Sequence, residues 1–372
     1  MKLAFDAKRA FLNNSGLGNY SRSLIQSLLH YYPDNELNLY TPKIKPSSFA
    51  ESLKQAKQVS IISPSGFLAN QFPAVWRSFA ITDTLVKNKC DVYHGLSNEL
   101  PLNISKFKGK KIVSIHDLIF LRYPELYPLM DRNMYDRKSE KSCKKADLVI
   151  AISEQTKKDI IEFYHIPESK IKVVYQSCDD VYYHVPSVEN MLAARQKFKL
   201  PDEYILSVGT VEARKDLLTL LKSLTQIQQA KLVVVGRKTA YYKQCEEYIV
   251  KEGLSGRISF LDNVSNAELA CIYRMAKLFI FPSLFEGFGI PILEALNCQV
   301  PVIAALNSSL TEVGGKDSLY FQTGNSKQLA ELIRNVLNSE TLSLKMIEKG
   351  TEQALKFRPA QIAMNLMEIY RS

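Results

Sequence analysis

The chain runs through two successive series in which a short apolar run is followed by an amphipathic segment, and this alternation limits the fold more than any other feature. In the first series KLAFDA, ELNLYT, VSII, DVYHG, KKIVSIHD and ADLVIAIS read as buried strands, being short, rich in apolar residues and ended by polar or turn residues. Helical stretches such as NYSRSLIQSLLHYY and SEQTKKDIIEFYHI lie between them, the second opening with Ser153 as an N-cap. The second series begins near Tyr204 and runs YILSVGT, KLVVVG, RISFLD, KLFIFPS, VPVIAA and SLYF, with helical segments at 215–227, 240–252, 265–275, 291–297 and 325–338. Strand–helix–strand alternation builds parallel sheets. The fold class is therefore α/β, with two Rossmann-like doubly wound parallel-sheet domains facing across a cleft. The expected division is 1–185, 186–355 and a terminal helical segment, 356–372, packing across the junction.

The length of 372 residues suits two domains. A hydrophobic content of 46% with 23% charged residues is ordinary globular usage and excludes disorder, collagen and coiled coil. No run approaches the ~18 apolar residues of a membrane span, and the start meets charge where a signal peptide needs an apolar core, so a cytoplasmic protein is expected. The six cysteines are far apart, without C-x-x-C pairs, which points neither to zinc nor to a disulfide framework. The net charge of +10 is uneven: residues 1–180 hold 26 basic against 19 acidic side chains, the remainder 22 against 19. Part of the excess sits in DRNMYDRKSEKSCKK, Asp131 to Lys145, which reads either as a solvated charged helix or as a patch for anionic lipid headgroups, possible at the inner face of a cell membrane. Nucleic acid is not expected, because no zinc-finger spacing, aromatic RNA-binding signature or basic tail is present.

In open parallel sheets ligands sit beyond the carboxyl ends of the strands. Four segments place chemistry there. FIFPSLFEGFGIPILEAL, 279–296, ends a strand at Pro282, turns through Gly287, Phe288 and Gly289, and starts a helix with Pro291; Glu286 and Glu294 flank the turn. Free N–H groups at such a helix start suit a phosphate, although a glutamate near a helix start is also common for dipole reasons. In SVGTVEARKDLLTLL, Gly209 permits a tight turn and Arg214 and Lys215 precede the next helix, a fork and a point charge that together can neutralise a diphosphate. In DAKRAFLNNSGLGNYSRSLIQ, Gly16, Gly18 and Asn19 fall between the first strand and the first long helix; the full G-x-G-x-x-G is absent, which removes the dinucleotide fingerprint. In VSIHDLIFLRYPELYP, His116 ends a strand, either as a sugar-hydroxyl contact oriented by Asp117 or as a satisfied structural residue; His94 is the weaker candidate of the same kind. No D-x-D sequence is present to hold a divalent cation, so no metal is expected.

Taken together these segments resemble the retaining glycosyltransferases of family four, of GT-B fold, and a mannosyltransferase-like subgroup among them. The likeness runs nearly end to end, through SGLGNYSRSLIQSL, VYHGLSNELP, SIHDLIFLRYPE, GTVEARKDLLTLLKSL and PSLFEGFGIPILEALNCQVPVIAALNSSLTEVGG. It implies a nucleotide diphosphate sugar as donor, no cofactor, and a glycan or lipid-linked saccharide as acceptor in surface polysaccharide biosynthesis. It further implies that Glu294 holds the ribose, Glu286 contacts the donor sugar, Arg214 and Lys215 bind the diphosphate, the Gly16 to Gly18 loop covers the phosphates, and His116 touches the transferred sugar. The chain departs from the family pattern at Ala213, where Pro is common, at Asp216, where Asn is common, and at Gln176 to Asp179. Asp216 is expected to retune donor binding. The alternatives are an epimerase or phosphorylase on the same fold and a non-catalytic sugar-nucleotide binding protein.

Overall fold

The computed structural model describes residues 1–13, 16–64, 71–307 and 309–372. They form two compact units, one of Met1–Ser177 with Phe357–Ser372, the other of Cys178–Lys356. The first unit is built on a seven-stranded sheet: β1 (Lys2–Asp6), β2 (Glu36–Tyr40), β3 (Val59–Ile62), β4 (Val92–Gly95), β5 (Lys110–Ile115), β6 (Leu148–Ala151) and β7 (Ile171–Val173). Their order is β3-β2-β1-β4-β5-β6-β7. The second unit carries β8 (Ile205–Val208), β9 (Leu232–Val235), β10 (Ile258–Leu261), β11 (Leu278–Phe281), β12 (Val302–Ala305) and β13 (Leu319–Phe321), ordered β10-β9-β8-β11-β12-β13. The paired strands run parallel, as in the register Phe279↔Val302. Central strands such as LVVV, LFIF and VIAA are buried along their whole length, which is why they read as unbroken apolar runs and not as alternation.

The helices form where the apolar stripe and the caps agree. Ser326–Leu337 buries Leu329, Ala330, Ile333 and Val336 on one face. Glu154–Tyr164 starts at Ser153, whose side chain accepts from the Thr156 N–H at 3.0 Å. The helix Asn266–Arg274 opens with a capping box of Ser265 and Glu268. Leu129–Lys145, by contrast, buries only Ser139, Ser142 and Cys143. Between β3 and β4 the sequence reading placed no helix, yet Pro73–Val75, Trp76–Ala80 and Ile81–Lys87 form a helical run. Its exposed Phe72, Val75, Phe79 and Val86 blur the apolar stripe by which such a helix is recognised. The helix Pro359–Arg371 belongs to the first unit, where Tyr370 Oη meets His94 Nδ1 at 2.7 Å and Lys110 Nζ donates to the Ile369 carbonyl at 2.6 Å. All six cysteines are unpaired and buried.

Strand order reverses between β1 and β4 in one sheet and between β8 and β11 in the other, and at such a point the flanking crossovers diverge and leave a crevice at the carboxyl ends. One expectation at the first of these points needs correction: Gly16, Gly18 and Asn19 are not a loop but the opening turns of the helix Gly16–Tyr31. A Cβ on Gly18 would overlap the Asn13 carbonyl, whereas one on Gly16 would meet nothing within 4 Å. Arg22, one turn on, donates from NH1 to the Ala10 and Asn13 carbonyls at 2.9 and 2.8 Å, drawing the segment Lys8–Asn13 onto the helix. The second glycine is thus a packing requirement. Gly18→Ala should lower stability by on the order of 2 kcal/mol through overpacking, and Gly16→Ala should leave it nearly unchanged, as read from denaturant midpoints.

Candidate active site

In the second unit the crevice at β8 and β11 gathers the charged residues that the sequence singles out. Gly209, with φ +149°, follows β8 and its N–H donates to the Val235 carbonyl at 2.9 Å. The chain then makes the short turn Ala213–Lys215 and enters the helix Leu217–Leu224. After β11 the loop from Pro282 to Gly289 lies alongside, its Leu284 N–H donating to the Arg214 carbonyl at 2.8 Å. Gly289 closes the loop at φ +124°, a conformation residues with a Cβ rarely adopt, and Pro291 follows in the first turn of the helix Ile290–Asn297.

The centre of the site is one carboxylate oxygen held by three donors. Glu286 Oε1 lies 2.5 Å from Lys215 Nζ and 2.9 Å from Arg214 NH1, and accepts from Ser283 Oγ at 2.5 Å. Burial pushes the carboxyl up, but the charges of Lys215 and Arg214 outweigh it and hold Glu286 at about 2. Arg214 also donates to the Phe285 carbonyl and pairs with Glu212 Oε1, both at 2.7 Å. Lys215 Nζ lies 4.8 Å from the centre of the Phe281 ring. Ser309 braces the loop from outside by donating to the carbonyls of Glu286 at 2.9 Å and of Phe288 at 2.7 Å, and both Gly287 and Phe288 are buried.

Glu294 is placed differently from Glu286. It is the fifth residue of its helix, 8% exposed, and Tyr273 Oη donates to its Oε2 at 2.9 Å. Burial raises its carboxyl to about 7, against the lowering effect of hydrogen bonds from Tyr273 and Tyr182. The two glutamates therefore sit in opposite electrostatic surroundings eight positions apart. Asp216, with φ +45°, caps the helix Leu217–Leu224 by accepting from the Thr219 N–H at 3.4 Å, and aspartate and asparagine share both the tolerance of that conformation and the capping oxygen.

His116 lies in the first unit at the end of β5, 6% exposed. Its Nε2 donates to the Leu96 carbonyl at 2.8 Å, and the Tyr20 ring stands edge-on to it at 4.6 Å. Burial first, and the nearby Arg9 charge, lower it to about 4 despite the Leu96 bond. The ring is thus neutral at pH 7, with Nδ1 as an acceptor. Its orienting partner is Leu96; Asp117 Oδ1 accepts from the Ile119 N–H at 3.2 Å. His94 is fully buried and tied to Tyr370 and Ser114. The sequence reading missed Glu212, Ser283, Ser309 and Tyr273, which contribute single side chains without a motif. It also missed Asp6, Arg77 and Glu99 in the first unit, although Asp6 is the polar end of an apolar strand.

Residues 190–353 match the model described as glycosyl transferases group 1, and residues 15–181 that of glycosyltransferase family 4. The chain belongs to the family-four glycosyltransferases, with the GT-B fold. O-antigen chain mannosyltransferase B of Escherichia coli is 26% identical over 376 residues, 96% of each chain. The serotype-specific mannosyltransferase WbdA of Escherichia coli is 27% identical over 284 residues, 73% of this chain and 34% of that longer protein. Among solved structures, Anabaena HepE in complex with UDP and glucose shares the fold at a TM-score of 0.77 and 19% identity, covering 100% of this chain and 99% of its own.

The raised Glu294 carboxyl has a measurable sign. An unfolded glutamate ionises near 4.5 and the folded one near 7, so stability falls as pH rises between those values and is level above them. Glu294→Gln should abolish that fall, on the order of 3 kcal/mol, and gain midpoint temperature over the wild type at pH 8. Thermal melts from pH 4.5 to 8 check this.

Proposed function

We propose that this glycosyltransferase moves a hexose, mannose or a related sugar, from a nucleotide diphosphate sugar to a hydroxyl of a glycan or lipid-linked acceptor in surface polysaccharide assembly, with retention at the anomeric carbon. The observation that carries the reading is the convergence of Arg214 and Lys215 on Glu286 at the strand reversal of the second sheet. The named mannosyltransferase relatives support the sugar. The diphosphate would lie against Arg214, Lys215 and the backbone N–H groups around Gly287 to Gly289, where the helix Ile290–Asn297 adds its positive end. Glu294, a buried carboxylate beside the Tyr273 hydroxyl, would take the ribose hydroxyls. Glu286 would exchange part of its hold on the two cations for a sugar hydroxyl as the phosphates arrive.

In this reading the leaving diphosphate oxygen takes the acceptor proton as the glycosidic bond forms on the same face, and the protein's work is to stabilise the charge that develops on the phosphates. Two fixed cations supply that charge, so the reaction is proposed to run without a divalent cation. Lys215→Ala and Arg214→Ala should each lower kcat by about 10²–10³, with the wild-type rate unaffected by EDTA. Transfer assays with GDP-mannose and UDP-hexoses, and NMR of the product's anomeric proton, check rate, donor and stereochemistry. A near wild-type rate for Lys215→Ala would overturn the assignment.

The basic helix Leu129–Lys145 supports an anionic membrane surface as a further partner. Arg137, Lys138, Lys141 and Lys144 are exposed along it, and Leu129 and Met130 at its start are 62% and 85% exposed. Each basic residue near such a surface contributes on the order of 1 kcal/mol. Flotation with anionic liposomes should recover the protein at low salt and lose it at moderate salt; absence from the vesicle fraction at both salts would refute the contact.

A further inference from the structure

In the second unit two side chains that follow β12 reach across to the glycine loop after β11 and take hold of its carbonyl groups. Asn307 Nδ2 donates to the Ser283 carbonyl at 3.0 Å, and Ser309 Oγ to the carbonyls of Glu286 at 2.9 Å and Phe288 at 2.7 Å. Ser309 is fully buried and is itself fixed. Its own carbonyl accepts from the Glu312 and Val313 N–H groups at 3.1 and 3.2 Å, in the first turn of the short helix Leu310–Gly314. That helix lies against the end of the loop, for a Cβ on Gly289 would come 3.2 Å from Leu310 Cδ2 and 3.9 Å from Val313 Cγ2. A hydroxyl has one hydrogen to give, so the Glu286 and Phe288 carbonyls share it, and they share it only while both face Ser309.

The direction of these carbonyls decides where the N–H groups of the loop point. A trans peptide is planar and sets its N–H opposite to its C=O, so a carbonyl drawn to one side of the loop sends the N–H of the next residue to the other. The Ser283 peptide shows the rule: its carbonyl meets Asn307, and the Leu284 N–H on the far side donates to the Arg214 carbonyl at 2.8 Å. By the same geometry the Glu286 and Phe288 carbonyls, held by Ser309, turn the N–H groups of Gly287 and Gly289 away from Ser309. Gly289 is also the N-cap of the helix Ile290–Asn297, whose first N–H groups have no acceptor within the helix and carry its positive end. The Ser309 hydroxyl therefore acts on the loop through two peptide groups at once.

We propose that Ser309 is a positioning residue for the donor: by holding the two carbonyls it aims the loop N–H groups, that of Gly289 foremost, at the phosphate that carries the departing sugar. The inference rests on the donor reading given above. Its test is calorimetry on the full chain with GDP and GMP, and with UDP and UMP, because the monophosphates lack the phosphate that Ser309 serves. Ser309→Ala should bind the diphosphate that wild type prefers about tenfold more weakly, the loss expected for one hydrogen bond to a charged group. It should bind the matching monophosphate as wild type does, a split that a general loosening of the unit would not produce. Ser309→Cys, of similar shape and with only a weak S–H donor, should show the same split and decides the matter should Ser309→Ala fail to fold. A folded variant that binds the diphosphate as wild type does, or that loses diphosphate and monophosphate alike, would overturn the proposal and leave the donor reading standing. Wild type binding neither GDP nor UDP would instead fail the donor reading, and this role with it.

Discussion

The ion pair between Glu286 and its two cations organises the second unit's crevice. A carboxylate removed from water this far is costly alone, and the site is stable because a guanidinium, an ammonium and a hydroxyl converge on one oxygen. The same contacts fix the loop after β11 against the turn after β8, so the two chain segments that would meet a diphosphate are held together by the groups that would bind it. Ser309 and Gly289 then set the far side of the loop, the first through two carbonyls and the second through a backbone conformation only glycine takes readily.

The two glutamates of this segment show how one helix start divides labour. Glu286 is kept ionised by adjacent cations, while Glu294, a turn deep in the helix and surrounded by tyrosines, is held near the edge of protonation at neutral pH. A charged carboxylate among cations and a buried one beside tyrosine hydroxyls suit different partners, the first a polar reacting centre and the second a pair of hydroxyls.

Much of this was legible before the structure. The strands of both sheets appear as buried runs because a parallel sheet covered on both faces selects continuous apolar residues, and the spacing of Arg214, Lys215, Glu286 and the glycines places them at strand ends. What was hidden has physical reasons. Gly18 looks like part of a phosphate loop because a glycine admitted for close packing against Asn13 carries the same letter as one admitted for a ligand. The helical run before β4 escaped because its outer face is apolar. Asp6, Arg77 and Glu99 are distant in sequence, and only the strand order of the sheet brings a strand end, a helix and a turn to one point.

The first unit is not one uninterrupted stretch of chain. Its sheet is complete by Val173, yet Tyr370, which reaches His94 in the interior and through it Ser114 and Tyr20, emerges only after the whole second unit has been made. During synthesis the earlier domain must therefore wait, with the groove beside the helix Gly16–Tyr31 uncovered, until the later one has left the ribosome. Assembly of the two halves is coupled by the path of the polypeptide itself.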